Sequence, residues 1–137
     1  MHGAWLIAAA ALIVGVLGTL HLVYTFSSTR LYPRDEALIA RMQEVSPRLT
    51  RETTIWRAGL GFHASHSLGA ILFAVVFASL ALAPNAPLFG LPVVALAGAA
   101  YLLAMLVLAR RFWFRIPFRG LAAANVLYLG GLVAAWT

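Results

Sequence analysis

Apolar residues are concentrated in four long stretches of the chain. They cover about residues 5–26, 56–83, 88–109 and 119–136. A helix needs about 20 mainly apolar residues to cross the hydrocarbon core of a bilayer, and each stretch reaches or approaches that length. The alternating segments of about ten residues that form transmembrane barrels are absent from the sequence. The pattern therefore predicts an all-α integral membrane four-helix bundle, a single domain over residues 1–137.

The connection between the first two stretches has the pattern of a short helix. Pro33 suits a first helical position, and the acidic pair Asp35-Glu36 suits a first turn. Apolar residues then recur on one face, at Leu38, Met42 and Val45. Ser46-Pro47 ends the pattern. We expect a short amphipathic helix on the cytoplasmic surface of the membrane, and a solvated linker helix is an equally good interpretation.

The positions of the basic residues predict the orientation of the chain. All ten are arginines, and all lie in the first and third connections or at the adjoining ends of the spans. The first group is Arg30, Arg34, Arg41, Arg48, Arg51 and Arg57, and the second is Arg110, Arg111, Arg115 and Arg119. Because short loops rich in basic residues stay in the cytoplasm, both connections are predicted to be cytoplasmic and both termini to lie outside. The four tryptophans agree with these boundaries, since each falls near a span end, at Trp5, Trp56, Trp113 and Trp136.

Composition and charge support a membrane location. Hydrophobic residues make up 63% of the chain and charged residues 10%, with a mean hydropathy of +0.91; a soluble domain has roughly 25% charged residues. Cytoplasmic arginines facing anionic headgroups account for the net charge of +6. The segment Arg110–Arg119 interleaves arginines with aromatics, and between two spans we interpret it as an interfacial anchor. Membrane lipids are therefore expected partners, and nucleic acid is not.

Polar side chains inside predicted spans mark candidate functional positions, because they are costly in lipid. Two groups share the helical spacing i, i+3, i+4: His21, Tyr24 and Thr25 in the first span, and His63, His66 and Ser67 in the second. Further polar candidates are Tyr101, Asn125 and Tyr128 inside the later spans, with Arg57 and Arg119 at the rim. At 1.5 Å per residue, the three histidines lie about 5–10 Å inside the spans. We expect them to share one pocket in the cytoplasmic leaflet.

Small residues on another face of the second span predict helix packing. Gly61, Ser65 and Gly69 follow the small-xxx-small spacing that lets another helix approach closely. This contact would form within the protomer or between protomers. A homodimer or a larger membrane complex is accordingly an expected assembly.

Three interpretations of the polar cluster follow from its chemistry. In the preferred one, the cluster and the rim arginines bind a small lipid-like amphiphile, such as a quinone, an isoprenoid or an acyl compound. The candidate catalytic residues are then His66 and His21, because a neutral imidazole near its ordinary pKa of about 6.5 can act as acid or base. Whether the chain is an enzyme stays open.

The two alternatives are a metal or haem site and a purely structural role. His21, His63 and His66 would be the ligands of a transition metal, or two of them the axial ligands of a haem. No span carries a carboxylate, which excludes a bundle-type di-iron site, and no metal or cofactor is favoured. In the structural reading the polar groups only bond across helices, each bond contributing about 0.6 kcal/mol, and the chain is a structural or accessory subunit.

The segment Thr-Thr-Ile-Trp-Arg-Ala-Gly-Leu-Gly-Phe-His-Ala-Ser-His-Ser-Leu-Gly at 53–69 resembles the core of a family of small four-span bacterial membrane proteins. The run His-Leu-Val-Tyr-Thr-Phe at 21–26 is similar to that family's first span. The resemblance covers about half of the chain, and it implies the four-span topology and a bacterial inner (cytoplasmic) membrane. It draws attention to Trp56, Arg57, His63, His66 and Ser67 but assigns no reaction. Asn is usual in the family where His63 stands here, which weakens a metal site that depends on this residue.

Overall fold

The structure, a computed structural model, describes residues 2–137 and consists of helices and their connections. The α-helices are α1 (His2–Ser27), α2 (Glu36–Glu44), α3 (Ile55–Leu82), α4 (Pro92–Phe112) and α5 (Arg115–Trp136), with a 3₁₀ turn at Pro87–Gly90. No strand occurs in this described part of the chain. The all-α prediction is therefore confirmed.

Four of these helices, α1, α3, α4 and α5, are long and apolar enough to cross a membrane. They contain 21 to 28 residues each, and a membrane-spanning helix needs about 20. Their positions coincide with the four apolar stretches of the sequence. The structure thus supports a multi-pass membrane protein.

The third and fourth long helices begin at other residues than the hydropathy pattern predicts. The third starts at Pro92 and not at 88, because Pro87–Gly90 forms a separate 3₁₀ turn. Proline has no N–H to donate and its φ suits a first helical position, so Pro92 is a natural start. The fourth starts at Arg115 and not at 119. Pro117 lies in its first turn, where a missing N–H breaks no intrahelical hydrogen bond.

The short helix α2 is present, but its start differs from the prediction. Asp35 is the N-cap: its Oδ1 accepts hydrogen bonds from the backbone N–H groups of Ala37 at 2.9 Å and Leu38 at 3.2 Å. An Asp side chain satisfies these N–H groups well, because they have no acceptor inside the helix. Placing Pro33 at the first helical position is therefore wrong, and Val45 is the C-cap.

The described chain divides into two compact units, which we treat separately. The first, here called the histidine unit, is Gly18–Gly69. The second, here called the core unit, contains the described residues up to Leu17 together with Ala70–Thr137. The division crosses α1 between Leu17 and Gly18 and α3 between Gly69 and Ala70. That the whole chain is one domain stays a prediction.

Small residues and stacked aromatic rings fill the interior of the core unit. Phe73 stacks on Phe77 and on Tyr101, with ring centroids 4.4 Å and 4.9 Å away. The fully buried alanines Ala10, Ala95 and Ala124 allow helices to approach closely. Since lipid gives no hydrophobic drive between helices, such close packing is what stabilises the unit. Its other buried hydrophobic residues are Ile7, Ala11, Val14, Ala70, Ala81, Leu88, Leu102, Ala109, Leu121, Tyr128 and Leu132.

Gly131 on α5 provides a first testable prediction about this packing. A Cβ at this position would lie 2.7 Å from Ile7 Cγ1 and 2.8 Å from the carbonyl oxygen of Gly3. We expect Gly131→Ala to destabilise the protein by about 1–3 kcal/mol, because α1 and α5 must move apart. Thermal unfolding in mild detergent measures this change. The neighbouring Gly130→Ala is the control, since a Cβ there meets nothing within 4 Å; equal unfolding temperatures for the two variants would contradict the prediction.

Candidate functional site

Two histidines of the histidine unit contact each other across α1 and α3. His21 Nε2 lies 3.2 Å from His63 Nδ1, a hydrogen-bonding distance, and the ring centroids are 5.2 Å apart. One ring must donate and the other accept, so the contact holds one proton. In a neutral His63 the other nitrogen, Nε2, is then a donor when Nδ1 accepts, and an acceptor when Nδ1 donates. This side chain can therefore bond either a hydroxyl or a carbonyl group.

The third histidine joins the same cluster. The ring of His66 stands edge-on to that of His21, with centroids 5.4 Å apart and an interplanar angle of 85°. The structure thus brings together the three histidines that the sequence analysis selected. The i, i+3 spacing on α3 places His63 and His66 on one face, and α1 supplies His21 opposite them.

Two hydroxyls in the unit bond back to the helix backbone. Thr25 Oγ1 donates to the carbonyl oxygen of His21 at 2.8 Å, and Ser67 Oγ donates to that of His63 at 2.9 Å. Both side chains are buried. Each hydroxyl proton is thereby used within its own helix, which leaves only acceptor capacity for a ligand.

A pocket of about 340 Å³ opens beside the histidine pair. Its wall on α3 is formed by residues at i, i+3, i+4 and i+7, which share one helix face: Trp56, Gly59, Leu60 and His63. From Trp56 to His63 the wall extends about 10 Å along the helix axis. The other lining residues are Thr25 from α1, Leu31, Tyr32 and Pro33 from the connection, and Met42 from α2.

Aromatic and backbone contacts hold the connection against the start of α3. The rings of Tyr32 and Trp56 meet edge to face, with centroids 4.7 Å apart. The N–H of Ile55 donates to the carbonyl oxygen of Val45 at 2.8 Å, which joins the end of α2 to the start of α3. Thr54 Oγ1 accepts from the N–H of Arg57 at 3.2 Å and caps α3. These contacts hold the connection beside α3, where its residues form a wall of the pocket that α3 alone would not provide.

Three of the candidate ligand-binding residues of this unit lie outside the pocket lining: Tyr24, Arg57 and Ser67. Tyr24 is engaged by Arg30, whose Nη1 donates to Tyr24 Oη at 3.1 Å while the guanidinium lies 4.9 Å from the ring centroid. Arg57 is exposed on the first turns of α3. Tyr24 and Arg57 therefore belong to the histidine unit but do not line the pocket.

The remaining candidates belong to the core unit and have other contacts. Asn125 Nδ2 donates to the carbonyl oxygens of Leu102 at 3.0 Å and Leu121 at 2.8 Å. Tyr128 Oη donates to the carbonyl oxygen of Ala95 at 2.9 Å. The bonds to Leu102 and Ala95 join α5 to α4, and the bond to Leu121 lies within α5. Asn125 and Tyr128 therefore make contacts inside the core unit. The ring of Tyr101 stacks on Phe73, and Arg119 is exposed.

The small-residue face of the second span packs against no helix within the described chain. A Cβ added at Gly61 or at Gly69 would meet nothing within 4 Å, and Ser65 is exposed. Packing of this face within the protomer is therefore not seen. Its use between protomers stays a prediction.

Sequence reasoning missed most of the pocket lining. The sequence marks Trp56 as an interfacial residue and through the family resemblance but not as a ligand-binding residue, and it does not mark Tyr32 or Met42 as site residues. The one available signal was the spacing of Trp56, Gly59 and His63 on one helix face. Tyr32 carried no signal because it lies in an irregular connection, whose path no periodicity indicates.

The arrangement of the three histidines also bears on metal binding. In residues 2–137, no group of three or more His, Cys, Asp or Glu side chains is arranged to hold a metal ion. The pair of His21 and His63 is instead close enough to hydrogen-bond directly. Comparisons of the chain with protein-family models, with curated proteins and with solved structures find no match.

Proposed function

We propose that the protein binds the polar head of a lipid-like amphiphile in the pocket of the histidine unit. The ligand class is a quinone, an isoprenoid or an acyl compound with a hydrogen-bonding hydroxyl or carbonyl head. The observation that carries this proposal is the contact of 3.2 Å between His21 Nε2 and His63 Nδ1, beside a pocket that His63 itself lines.

The lining favours an amphiphile because it combines a few polar groups with an apolar surface. Its polar side chains are Thr25, Tyr32, Trp56 and His63, and the rest of the lining is apolar or glycine. Ligand pockets usually have this composition, with a small number of polar groups that fix the orientation of the ligand. The volume of about 340 Å³ is near the lower end of the usual range of roughly 300–1,000 Å³. It suits a head group and the first part of a tail, with the remaining tail in the lipid.

The same lining favours a neutral head group. No charged side chain is among the nine residues that line the pocket. A carboxylate or a phosphate there would lose its hydration without an ionic partner, which is costly. A carbonyl head can accept a hydrogen bond from His63 or Tyr32, and a hydroxyl head can also donate one to Thr25.

The histidine pair also supplies a route for a proton. A ligand hydroxyl can give its proton to His63 Nε2 while the proton on His63 Nδ1 passes to His21 Nε2, which leaves the charge on His21. His66, edge-on to His21, lies next to this second ring. A chemical step on the head would use His63 as the contacting base, with His21 and His66 behind it.

Membrane and orientation form part of the same proposal. The protein lies in a bacterial inner membrane, as the family resemblance implies, and both of its termini lie outside, as the distribution of its arginines indicates. In this arrangement α2 rests on the cytoplasmic surface, and the pocket opens in the cytoplasmic leaflet. The amphiphile would then reach the pocket from that leaflet.

Mass spectrometry of lipids that co-purify with the protein in mild detergent tests the proposal. We expect a near-stoichiometric neutral amphiphile in the wild type, and roughly a three- to tenfold loss in His63→Leu, because a hydrogen bond contributes about 1 kcal/mol. Ser65→Ala, an exposed position two residues away on α3, is the control and should keep the amphiphile.

Two outcomes would count against ligand binding. If His63→Leu keeps its lipids but unfolds at lower temperature, the histidine contact serves the fold alone. If the wild type carries a Soret band or stoichiometric metal that His21→Ala loses, the cluster is a redox or metal centre. The absorption spectrum and metal analysis are therefore recorded on the same samples.

A further inference from the structure

The junction between α4 and α5 in the core unit carries a strongly basic surface. Only two extended residues, Trp113 and Phe114, separate the end of α4 from the start of α5. Four exposed arginines flank this short turn, at Arg110, Arg111, Arg115 and Arg119. We call these four the junction arginines. They place four positive charges within ten residues at the ends of two membrane-length helices.

The junction arginines have no acidic side chain in their own unit. All four acidic residues of the chain, Asp35, Glu36, Glu44 and Glu52, belong to the histidine unit. There they stand among six arginines, and the ion pair between Arg41 and Glu44 at 3.3 Å is one of the resulting contacts. The histidine unit therefore has a net charge of +2, and the junction has a net charge of +4. Within its own unit, the junction has no acidic side chain to neutralise it.

Two of the junction arginines oppose the dipole of their own helix. Arg110 and Arg111 lie in the last turn of α4, where positive charge is favourable. Arg115 and Arg119 lie in the first two turns of α5, where the helix dipole disfavours it, and the first turn has no acidic residue. Stabilisation of α5 thus does not explain these two residues, whereas contact with an external anion does.

The hydrophobic residues around the arginines fit the boundary of a bilayer. Phe112 is 71% exposed, Phe114 65% and Ile116 69%. The guanidinium of Arg110 lies 5.6 Å from the centroid of the Phe118 ring, which joins the end of α4 to α5. Exposed aromatics next to basic residues suit the headgroup region, where rings enter the lipid and guanidinium groups stay with the phosphates.

We infer that the junction arginines bind the headgroups of anionic phospholipids and select them over zwitterionic ones. The guanidinium fork matches the geometry of a phosphate and binds it through two hydrogen bonds. A zwitterionic headgroup offers the same phosphate together with a cation, which the net charge of the junction repels. The selected lipid therefore carries a net negative charge, as phosphatidylglycerol does.

Retention of defined lipids on the purified full-length protein tests the inference. The protein in mild detergent is exposed to equal amounts of phosphatidylglycerol and phosphatidylcholine, and bound lipid is counted by native mass spectrometry. We expect the wild type to retain phosphatidylglycerol roughly tenfold better, since each basic group contributes attraction to anionic lipid. The preference should fall as the salt concentration rises.

Matched variants assign the preference to the junction. R110Q/R111Q/R115Q/R119Q should reduce it to less than about twofold. R34Q/R41Q/R48Q/R51Q removes the same number of charges from the first connection and should keep most of it. The double variant R115Q/R119Q removes the two charges that oppose the α5 dipole, so it should lose much of the preference while unfolding at the same temperature or higher.

Three results would overturn the inference. The first is an unchanged preference in the folded R115Q/R119Q variant and in the quadruple junction variant. The second is an equal loss in the first-connection variant, which would mean that only total charge matters. The third is displacement of the lipid by a short duplex oligonucleotide at matched phosphate concentration, which would identify nucleic acid as the preferred partner.

Discussion

Gly59→Leu should lower the amount of bound amphiphile by at least about tenfold without unfolding the protein. Gly59 lines the pocket, and a Cβ added there meets nothing within 4 Å. The leucine side chain therefore has room to extend into the volume that the head group would occupy. Replacing glycine inside a helix also favours the helical state by up to about 1 kcal/mol. Gly59→Leu should therefore bind less amphiphile although its helix becomes more stable.

Gly61→Leu is the matched control for this variant. A Cβ at Gly61 likewise meets nothing within 4 Å, but this residue does not line the pocket. Both variants make the same substitution two residues apart on α3, so their effects on helix propensity and hydropathy are equal. Lipid mass spectrometry and thermal unfolding of both proteins give the comparison.

The outcomes of this comparison separate the possible explanations. Loss of the amphiphile in Gly59→Leu alone assigns binding to the pocket. Loss in both variants would point to the exposed surface of α3, through an interface between protomers or through general lipid contact. Full retention in both would show that the pocket is not the binding site, whatever role the histidines have.

The membrane-length helices were predictable because their signal is local. An apolar run of about 20 residues is sufficient to predict a spanning helix, and α1, α3, α4 and α5 follow those runs. Helix ends were less predictable where proline and capping decide them. Pro92 determines the start of α4 because it lacks an N–H group, and Asp35 determines the start of α2 because its side chain accepts hydrogen bonds. A hydropathy pattern reports neither property.

The histidine cluster was predictable in part. The i, i+3 spacing of His63 and His66 and the similar depth of His21 indicated that the three rings meet, and they do. Asn125 and Tyr128 are also polar residues inside predicted spans, yet they donate to the backbone carbonyls of Leu102 and Ala95. Every residue supplies such a carbonyl, so the sequence cannot indicate which polar side chain will use one.

Gly98→Val should destabilise the protein by more than about 3 kcal/mol, the upper end of the usual cost of overpacking. Gly98 is buried in α4, and a Cβ there would collide with Tyr128 Oη and with the ring of Phe77. Neither side chain can move easily. Tyr128 Oη is held by its hydrogen bond to Ala95, and Phe77 stacks on Phe73 at 4.4 Å.

Ala97→Val is the control for the chemical change. Ala97 is the preceding residue of α4 and is exposed, so its larger side chain meets no packed partner. Helix propensity opposes Ala97→Val by up to about 0.7 kcal/mol but slightly favours Gly98→Val, because glycine is the poorer helix former. Any excess destabilisation of Gly98→Val over Ala97→Val in mild detergent is therefore a lower bound on the packing cost. Equal stability would mean that α4 and α5 adjust to the added methyl groups. The close approach at Gly98 would then contribute little to the free energy of unfolding.

A double-mutant cycle identifies the atoms responsible. Gly98→Ala adds only a Cβ, and Tyr128→Phe removes the hydroxyl that this Cβ would meet. Tyr128→Phe alone should cost about 0.6 kcal/mol and no more than about 1.7 kcal/mol, the average and the maximum for interhelical hydrogen bonds in membranes. The double variant should be more stable than the sum of the two single effects predicts, because the second change removes the collision of the first. Additive effects would locate the strain at Phe77 instead, and Phe77→Leu would then be the change that restores stability to Gly98→Ala.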